Sequence, residues 1–370
     1  MTVNVTIIGA GVIGLAVAAR LSASKPDIFV LEKNEKFGQE TSGRNSEVIH
    51  SGVYYPENSL KARLCVKGNR MLYEYCRAKG VPYRKCGKIM VAACREEIPV
   101  LENVLRQSVV NDVRDGEWLS GSEVSRLEPE VKAEAGILFP STGVIDSYAL
   151  MKSLCTDALN NGAEIVYKTE VVAVSKLSRG YEITVRDLNG TYSFRSLKVI
   201  NSAGLWADRV ASLAGTMEPG YEIFFWKGEY FSVKGEKSKK IGRLIYPVPL
   251  QHSAGLGIHA TVDLNGRLKL GPNALFLSER IPDYTVKPAH SADFLRSAGN
   301  FLPFLHEDDL EPYMAGIRPK LQKPGDTVRD FVIKNEKAKG FKGFINLIGM
   351  ESPGLTSCLA VAEHVYEILE

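Results

Sequence analysis

The segment Val3–Gly14 reads VNVTIIGAGVIG, an apolar run that passes directly into three closely spaced glycines. Gly9, Gly11 and Gly14 follow a G-x-G-x-x-G spacing, which allows a tight turn, close approach of a phosphate to the backbone, and close packing of a helix on the strand. A helix that begins at such a turn offers free N–H groups and a partial positive charge to an anion. The segment therefore predicts a strand, a phosphate-binding turn and a helix.

A second strand with an acidic end completes the unit. The apolar run Ile28–Leu31 is followed by Glu32, which lies eighteen residues after Gly14. A carboxylate at this point can accept hydrogen bonds from ribose hydroxyls, and it would repel a 2′-phosphate. Strand, glycine turn, helix, strand and acid together predict a βαβ unit that binds an adenine dinucleotide.

Length and composition limit the class of protein to which the chain can belong. A chain of 370 residues exceeds one typical core, so we expect two domains. The chain is 45% hydrophobic and 24% charged, with a net charge of +3 and no Lys/Arg stripe, so we expect no nucleic-acid partner. The basic cluster 234–240 is interpreted as a solvated hairpin tip; peripheral contact with an anionic membrane surface is the alternative.

The six cysteines show neither CxxC nor Cys/His ligand spacing, so we expect no metal site. Scattered cysteines are typical of a reducing cytoplasm. The sequence contains no run of eighteen apolar residues, and the first strand begins almost at Met1, so we expect no membrane span and no targeting segment. A cytoplasmic location follows, with peripheral association at the inner membrane face left open. Nothing in the sequence indicates an oligomeric state.

Periodicity, caps and turn signals predict the remaining elements. The predicted helices are 11–24, 60–79, 96–110, 122–128, 147–160, 204–213 and one from 356 to the end. The predicted strands include 164–177, 180–187, 191–200, 343–348 and several short strands within 221–271. This order predicts an α/β + α+β fold, in which a discontinuous Rossmann-like domain is crossed by a second domain with a mixed β-sheet. We expect the first domain at 1–85, 145–217 and 335–370, and the second at 86–144 and 218–334.

Many segments of the chain resemble one group of flavoproteins. They are TSGRNSEVIHSGVYY at 41–55, SLKA at 59–62, KGEY at 227–230, YPVP at 246–249, GIH at 257–259, GPNA at 271–274, AGIR at 315–318 and GMESPGLT at 349–356. With these segments the chain resembles the FAD-dependent oxidoreductases of the D-amino-acid-oxidase-like superfamily, and within it the L-2-hydroxyglutarate dehydrogenases and oxidases. Two residues depart from that pattern. Glu47 stands where these proteins usually carry a small residue, and Pro319 after Arg318 is closer to the amino-acid oxidases.

The resemblance implies FAD as the cofactor, held by the Rossmann-like domain. A nicotinamide enzyme needs only the first βαβ unit, whereas this chain has two further strand-to-glycine junctions, at Gly204 and Gly349. The loop Thr41–Ser46 is expected to supply hydrogen-bond donors to the phosphate and to the polar edges of the flavin; a solvated turn is the alternative. Val171 is expected either to contact the adenine or to pack in the core, and the two alternatives are equal. The expected FAD-binding residues are Gly9, Gly11, Ile13, Gly14, Glu32, Lys33, Thr41, Ser42, Arg44, Asn45, Ser46, His50, Val171, Ala203, Gly204, Trp206, Gly349, Ser352, Pro353, Gly354, Leu355 and Thr356.

Oxidation of a 2-hydroxy acid requires a carboxylate clamp, a C2–H directed at flavin N5 to transfer hydride, and a base for the hydroxyl proton. Arg318 is the candidate clamp, because a guanidinium binds carboxylate bidentately and stays charged; a structural ion pair is the alternative. Imidazole suits the base. We favour His259 as the base or substrate ligand and His50 as a flavin neighbour, although the roles could be exchanged, and each could instead be an ordinary packed histidine.

Three tyrosines and Lys227 are further candidates for the substrate side. Tyr54 and Tyr55 could shape the pocket or donate to a carboxylate, with plain packing as the alternative. Tyr246 and Lys227 are weaker candidates for the distal carboxylate of a diacid, and Glu351 is interpreted as a capping acid of the last helix.

The resemblance implies, as the leading function, oxidation of a small hydroxy acid, L-2-hydroxyglutarate, to 2-oxoglutarate. The alternatives are a glycerol-3-phosphate oxidase or dehydrogenase, an amine or amino-acid oxidase, a flavin-bearing scaffold without turnover, and a nicotinamide dehydrogenase. The expected partners are the small-molecule substrate and an electron acceptor, for which oxygen, a quinone and another flavoprotein all stay open.

Overall fold

Residues 2–249 and 257–369 are the part of the chain that this computed structural model describes. The strands are β1 Thr2–Ile8, β2 Ile28–Leu31, β3 Val48–Ile49, β4 Tyr83–Arg84, β5 Lys88–Ala92, β6 Glu117–Ser120, β7 Ala135–Phe139, β8 Gly143–Ile145, β9 Glu164–Val166, β10 Glu170–Lys176, β11 Tyr181–Asp187, β12 Gly190–Asn201, β13 Phe224–Val233, β14 Leu244–Pro247, β15 Ala260–Val262, β16 Leu268–Leu270, β17 Leu275–Leu277, β18 Leu310–Lys320, β19 Val332–Asn335 and β20 Phe344–Ile348. The α-helices are α1 Val12–Ser22, α2 Leu60–Lys79, α3 Ile98–Val110, α4 Gly121–Leu127, α5 Ser147–Asn160, α6 Ala207–Leu213, α7 Ser291–Ala298 and α8 Gly354–Leu369.

The first sheet has a parallel centre in the order β9-β2-β1-β12-β20. β10 and β11 add an antiparallel edge next to β12, and β19 pairs antiparallel with β20. Ile8 is level with Leu31 on one side and with Asn201 on the other, so these strands end at the same edge. In an open parallel sheet, ligands bind outside this carboxyl edge. The glycine turn and Glu32 both emerge there.

The second sheet is mixed and lies mostly in the second half of the chain, in the order β17-β13-β16-β15-β14-β5-β7-β6, with β18 also paired to β13. Its pairs are antiparallel except for β14 with β5, which are parallel. A small third sheet, β3-β8-β4, contains the strand that leads into His50. The strand β18 brings Arg318 beside β13, so the KGEY and AGIR segments become neighbours.

Local sequence signals correctly located most helices. The predicted helix 60–79 begins and ends as expected, and Ser59 caps it by accepting a hydrogen bond from Ala62 N. Asp146 caps α5, and Ser120 with Glu123 forms a capping box at α4. Such caps are readable from sequence because they join residues only three positions apart.

Two predictions of local structure are wrong, and one helix was missed. The single strand predicted at 164–177 is two strands, β9 and β10, which lie on opposite edges of the first sheet and are separated at Lys168, where φ is +54°. The basic cluster 234–240 is not a hairpin tip: it contains a 3-10 helix at Gly235–Lys239, and the strands on either side of it do not pair. The helix α7 was not predicted.

The division into domains at 85, 145, 217 and 335 stays a prediction. The strands of the first sheet come from residues 2–31, 164–201 and 332–348, and those of the second from 88–139 and 224–320. The last proposed boundary falls inside Val332–Asn335, which pairs with β20. No helix among the described residues is both long and apolar enough to cross a membrane.

Candidate active site

A cavity of about 670 Å³ lies between the two sheets and collects most of the predicted site residues. Its wall contains the glycine turn, the loop that starts at Thr41, the Tyr54–Tyr55 pair, and residues of the second sheet. The predicted residues that line it are Gly9, Gly11, Ile13, Glu32, Lys33, Thr41, Ser42, Arg44, Asn45, Ser46, His50, Tyr54, Tyr55, Val171, Ala203, Gly204, Trp206, Tyr246, His259, Arg318, Ser352, Pro353, Gly354 and Leu355.

Three of the predicted FAD-binding residues are not part of that wall. Gly14 packs behind it, and a Cβ there would collide with the carbonyl oxygen of Gly9. Gly349 has φ +72°, and a Cβ there would run into the side chain of Leu321. Thr356 accepts a hydrogen bond from His50 N at 3.0 Å through its hydroxyl, so it holds the loop rather than facing the cavity.

The glycine turn leaves room for a ligand because side chains are excluded from it. Gly9 has φ +102°, and a Cβ there would lie 2.7 Å from Ser202 O. Gly11 stands at the N-cap of α1 and has no side chain with which to cap the helix. The first turn of α1 borders the cavity through Val12 and Ile13, and a helix N-terminus at such a place stabilises a phosphate. Ser202, which sequence reasoning did not single out, holds the turn by donating to Ile8 O at 2.9 Å.

Glu32 is buried in the cavity wall. Its Oε2 accepts a hydrogen bond from Ala10 N at 2.9 Å, and its Oε1 accepts one from Asn34 N at 2.9 Å. The carboxylate thus joins the glycine turn to the end of β2 and lies where a ribose would be bound. Nearby, Trp206 Nε1 and Lys33 Nζ both donate to Glu40, at 3.0 and 2.8 Å.

The loop that starts at Thr41 connects the two sheets. Ser42 Oγ accepts from Val12 N at 3.0 Å, at the start of α1. Thr41 Oγ1 donates to Ile317 O at 2.9 Å in β18, and Ser46 Oγ lies 2.8 Å from the hydroxyl of Tyr230 in β13. These contacts set polar loop groups along the cavity between the glycine turn and Arg318. They are stronger support for a binding loop than for a solvated turn.

His50 follows β3, and its ring borders the cavity. Nε2 lies 3.4 Å from Ser352 Oγ, whereas Nδ1 is buried and has no hydrogen-bond partner among the described residues. Burial, together with the charge of Lys88, lowers the pKa of His50 from 6.5 to about 3. The imidazole is therefore neutral at pH 7.

His259 and Tyr246 form a stacked pair on the second sheet. Their ring centroids are 3.8 Å apart and their planes differ by 5°. Both side chains are buried, yet both border the cavity. His259 immediately precedes β15 rather than lying within a strand, and its carbonyl accepts from Gly271 N at 2.9 Å. The stack fixes the plane of the imidazole against the cavity.

Arg318 projects from β18 into the cavity, and a buried polar network holds it. Its guanidinium donates to Asn273 O. The Asn273 side chain in turn accepts from Glu229 N at 2.8 Å and donates to Glu229 Oε2 at 3.1 Å. Among the described residues no carboxylate lies within ion-pair distance of Arg318, which argues against its being one half of a structural ion pair.

Lys227 does not reach the cavity, which corrects its prediction as a contact for a distal carboxylate. Its ammonium lies 3.3 Å from Glu229 Oε1 and 2.7 Å from Asp283 Oδ2. Glu229 also lies 2.5 Å from His290 Nδ1. Lys227 therefore balances the buried carboxylate that supports Arg318.

Glu351 is the centre of a buried ion cluster and not a simple helix cap. Its two oxygens lie 2.9 Å from Lys61 Nζ and 3.3 Å from Lys320 Nζ. All three residues border the cavity next to Ser352, and each is less than a tenth exposed. Burial acts to raise the pKa of Glu351, but the two lysines outweigh it and hold that pKa below the ordinary value.

Sequence reasoning missed Lys61, Lys320, Tyr230 and Ser202. Lys61 and Tyr230 lie inside two of the segments that carry the resemblance, and Lys320 is two residues after the predicted clamp. Their positions were therefore visible in the sequence, but their convergence depends on chain segments that are far apart in the sequence.

These features fit an adenine dinucleotide and define a class of protein. A glycine cradle, the N-terminus of α1 and a buried acid lie at one end of the cavity, while histidines, an arginine and tyrosines lie at the other. The volume is within the range of roughly 300–1,000 Å³ that is usual for small-molecule and cofactor sites. No group of three or more metal-ligating side chains occurs in the described ranges. The fold and the site are those of a dinucleotide-dependent oxidoreductase.

The chain belongs to the DAO family, described as FAD dependent oxidoreductase, whose pattern it matches over residues 4–368. It is similar to the mitochondrial L-2-hydroxyglutarate dehydrogenase of Arabidopsis thaliana, with 37% identity, covering 98% of this chain and 82% of that protein. It is also similar to L-2-hydroxyglutarate dehydrogenase of Escherichia coli K12, with 30% identity over 97% of this chain and 91% of that one. Among solved structures it resembles the L-α-glycerophosphate oxidase of Mycoplasma pneumoniae with FAD bound, at 27% identity and a TM-score of 0.88, covering 100% and 95% of the two chains.

These similarities confirm the predicted family, fold class and FAD cofactor. The protein is an FAD-dependent oxidoreductase that requires a small-molecule substrate and an electron acceptor. The roles assigned to individual site residues stay predictions.

Proposed function

We propose that this enzyme oxidises L-2-hydroxyglutarate to 2-oxoglutarate. The relatives of that name share 30–37% identity with nearly the whole chain. Arg318 is the residue of the site that best supports the proposal. Its guanidinium lines the cavity, and no carboxylate of the described residues lies within ion-pair distance of it. Such a group is suited to bind the carboxylate next to the carbon that is oxidised.

The chain supplies binding, orientation and proton transfer in this reaction. Arg318, held by Asn273, binds the C1 carboxylate and sets the orientation of C2. His259 removes the hydroxyl proton; its ring plane is fixed by the stack on Tyr246. The glycine turn and Glu32 would hold FAD, which would supply the acceptor for the hydride from C2.

We assign the base to His259 rather than to His50 for an electrostatic reason. A general base works best when its pKa lies near the working pH. The pKa of His50, lowered to about 3 by burial and by Lys88, makes it a poor proton acceptor. His50 can instead accept a hydrogen bond from the substrate or the cofactor.

A second candidate is oxidation of glycerol 3-phosphate, favoured by the similarity to the glycerophosphate oxidase. The identity to that protein is 27%, against 30–37% to the hydroxyglutarate dehydrogenases, and this difference decides the order of the two proposals.

Anaerobic mixing of the flavin-loaded protein with single substrates tests the proposal. Four substrates are tested separately: L-2-hydroxyglutarate, D-2-hydroxyglutarate, glycerol 3-phosphate and glycine. The absorbance of the oxidised flavin is recorded after each mixing. We expect rapid bleaching by L-2-hydroxyglutarate and none by its D enantiomer. Bleaching by glycerol 3-phosphate alone would establish the second candidate, and bleaching by glycine alone would indicate an amino-acid oxidase.

The electron acceptor and the location are part of the same proposal. The curated relatives are named dehydrogenases, which favours a quinone or another flavoprotein over oxygen. Re-oxidation of the reduced protein should therefore be slower in air-saturated buffer than with a soluble quinone, and the reverse order would indicate an oxidase. A cytoplasmic location with peripheral membrane contact remains a prediction, testable by sedimentation with anionic vesicles.

A further inference from the structure

Lys88 is a buried ammonium that the proposed reaction does not use. It lies at the start of β5 and is 1% exposed. Its Nζ lies 5.2 Å from the ring centroid of Tyr54, 5.1 Å from that of Tyr246 and 5.3 Å from that of Phe139. The faces of aromatic rings attract a cation at such distances, so the three rings form a box around the ammonium.

No carboxylate lies within ion-pair distance of Lys88 in the described ranges. The titratable groups that act on it are the Cys65 thiol, the Asp115 carboxylate and the imidazole of His50, beside the phenols of Tyr54 and Tyr246. Burial dominates and lowers the pKa of Lys88 to about 8, so the ammonium is mostly charged at pH 7. A buried cation without an anion is costly, unless a ligand brings the negative charge.

Two of the three rings separate Lys88 from the cavity. Tyr54 and Tyr246 both line the cavity, and Tyr246 is the residue on which His259 stacks. The Tyr54 hydroxyl is buried and has no hydrogen-bond partner among the described residues. An unpaired donor and an unbalanced positive charge therefore coincide at the His259 side of the cavity.

Other cations at this part of the site already have counter-ions. Lys61 and Lys320 share Glu351, and Lys227 is bound by Glu229 and Asp283. Arg318 is required for the carboxylate at C1. Unlike these three lysines, Lys88 has no carboxylate within ion-pair distance in the described part of the chain, so its charge is available to a second carboxylate.

We propose that Lys88 determines specificity for dicarboxylates: its charge, acting through the Tyr54–Tyr246 wall, attracts the distal carboxylate of the substrate, and the Tyr54 hydroxyl donates to that carboxylate. The inference rests on the proposed function. It extends that function by naming the residues that distinguish a diacid substrate from a monoacid. A charge one ring layer away acts strongly here because the surroundings exclude water.

The test compares the binding of two inert ligands, glutarate and pentanoate, which differ only in whether the distal end is a carboxylate or a methyl group. Their dissociation constants are read from perturbation of the flavin absorbance in the oxidised enzyme. Wild type should prefer glutarate. The Lys88→Met variant, of similar volume, should lose about tenfold more affinity for glutarate than for pentanoate, which is the scale of one charge in a partly buried site. Tyr54→Phe should shift the preference in the same direction.

Lys269→Met provides a matched control. Lys269 is also a buried lysine of the second sheet with a lowered pKa, but its ammonium lies 5.6 Å from the ring centroid of Tyr313, which does not line the cavity. This variant should leave the glutarate preference intact. The preference of the wild-type enzyme for glutarate over pentanoate should also fall as the pH rises past about 8, because Lys88 then loses its proton. The Lys88→Met variant should show no such decline.

Equal losses for both ligands in Lys88→Met, or an unchanged glutarate preference, would overturn the inference. The two proposals fail in different ways. A protein that prefers glutarate through Lys88 but is not reduced by L-2-hydroxyglutarate would contradict the proposed substrate alone. Reduction by L-2-hydroxyglutarate without a Lys88-dependent preference would contradict this inference alone.

Discussion

Replacing Glu351 by glutamine should destabilise the fold strongly. The substitution preserves the shape of the side chain but removes the negative charge that lies 2.9 Å from Lys61 Nζ and 3.3 Å from Lys320 Nζ. Both lysines are at least nine-tenths buried and would remain in the protein interior without their shared counter-ion. Breaking a buried ion pair by removing one partner costs about 3–5 kcal/mol, so we expect a loss of about 3 kcal/mol or more.

Urea unfolding followed by tryptophan fluorescence measures this loss. The double variant Glu351→Gln/Lys61→Met should recover part of the stability, because it removes one of the two uncompensated charges along with the carboxylate. A loss below about 1 kcal/mol in Glu351→Gln, a typical value for an exposed ion pair, would refute the account of this cluster.

Acidification provides an independent check on the same cluster. The folded-state pKa of Glu351 is held below its ordinary value of 4.5. Its contribution to stability is therefore present above the unfolded-state pKa and is lost as pH falls through the folded-state pKa. The difference in unfolding free energy between wild type and Glu351→Gln should narrow as the pH is lowered from 6 towards 3. A difference that stays constant over this range would contradict the assignment.

Three further variants probe the site. Gly14→Ala should yield protein with little bound flavin, because the added Cβ collides with the Gly9 carbonyl; a normal ratio of flavin to protein absorbance would contradict this. Glu229→Gln should raise KM by roughly tenfold with a smaller effect on kcat, since it disturbs the support of Arg318; an equal change in both parameters would argue against a positioning role. His259→Ala should slow anaerobic flavin reduction by about 10²–10⁴-fold, and an unchanged reduction rate would remove it as the base.

The sequence predicted those parts of the molecule that depend on short-range patterns. The glycine turn and Glu32 rely on a βαβ unit of some thirty residues, and the helix at 60–79 relies on local periodicity. The convergence of Glu32 with Ala10 follows from the same unit. Conformation and contact are determined locally in all of these cases, so a single sequence is sufficient to predict them.

The parts that were missed depend on pairings between remote segments. Glu351 looks like a helix cap from its neighbours, but its charge is balanced by Lys61, 290 positions away. Lys227 looks available for a substrate carboxylate until Asp283 is brought next to it, and Thr356 looks like a cofactor contact until β3 places His50 N against its hydroxyl. Lys88 had no sequence signal at all, because only the packing of three rings around it makes the residue unusual.

A single-turnover measurement tests the central claim most directly. One equivalent of L-2-hydroxyglutarate, added anaerobically to the flavin-loaded enzyme, should bleach the flavin fully and release one equivalent of 2-oxoglutarate, because the oxidation transfers two electrons. Flavin that stays oxidised, or bleaching without stoichiometric 2-oxoglutarate, would contradict the assignment of this protein as an L-2-hydroxyglutarate-oxidising flavoenzyme.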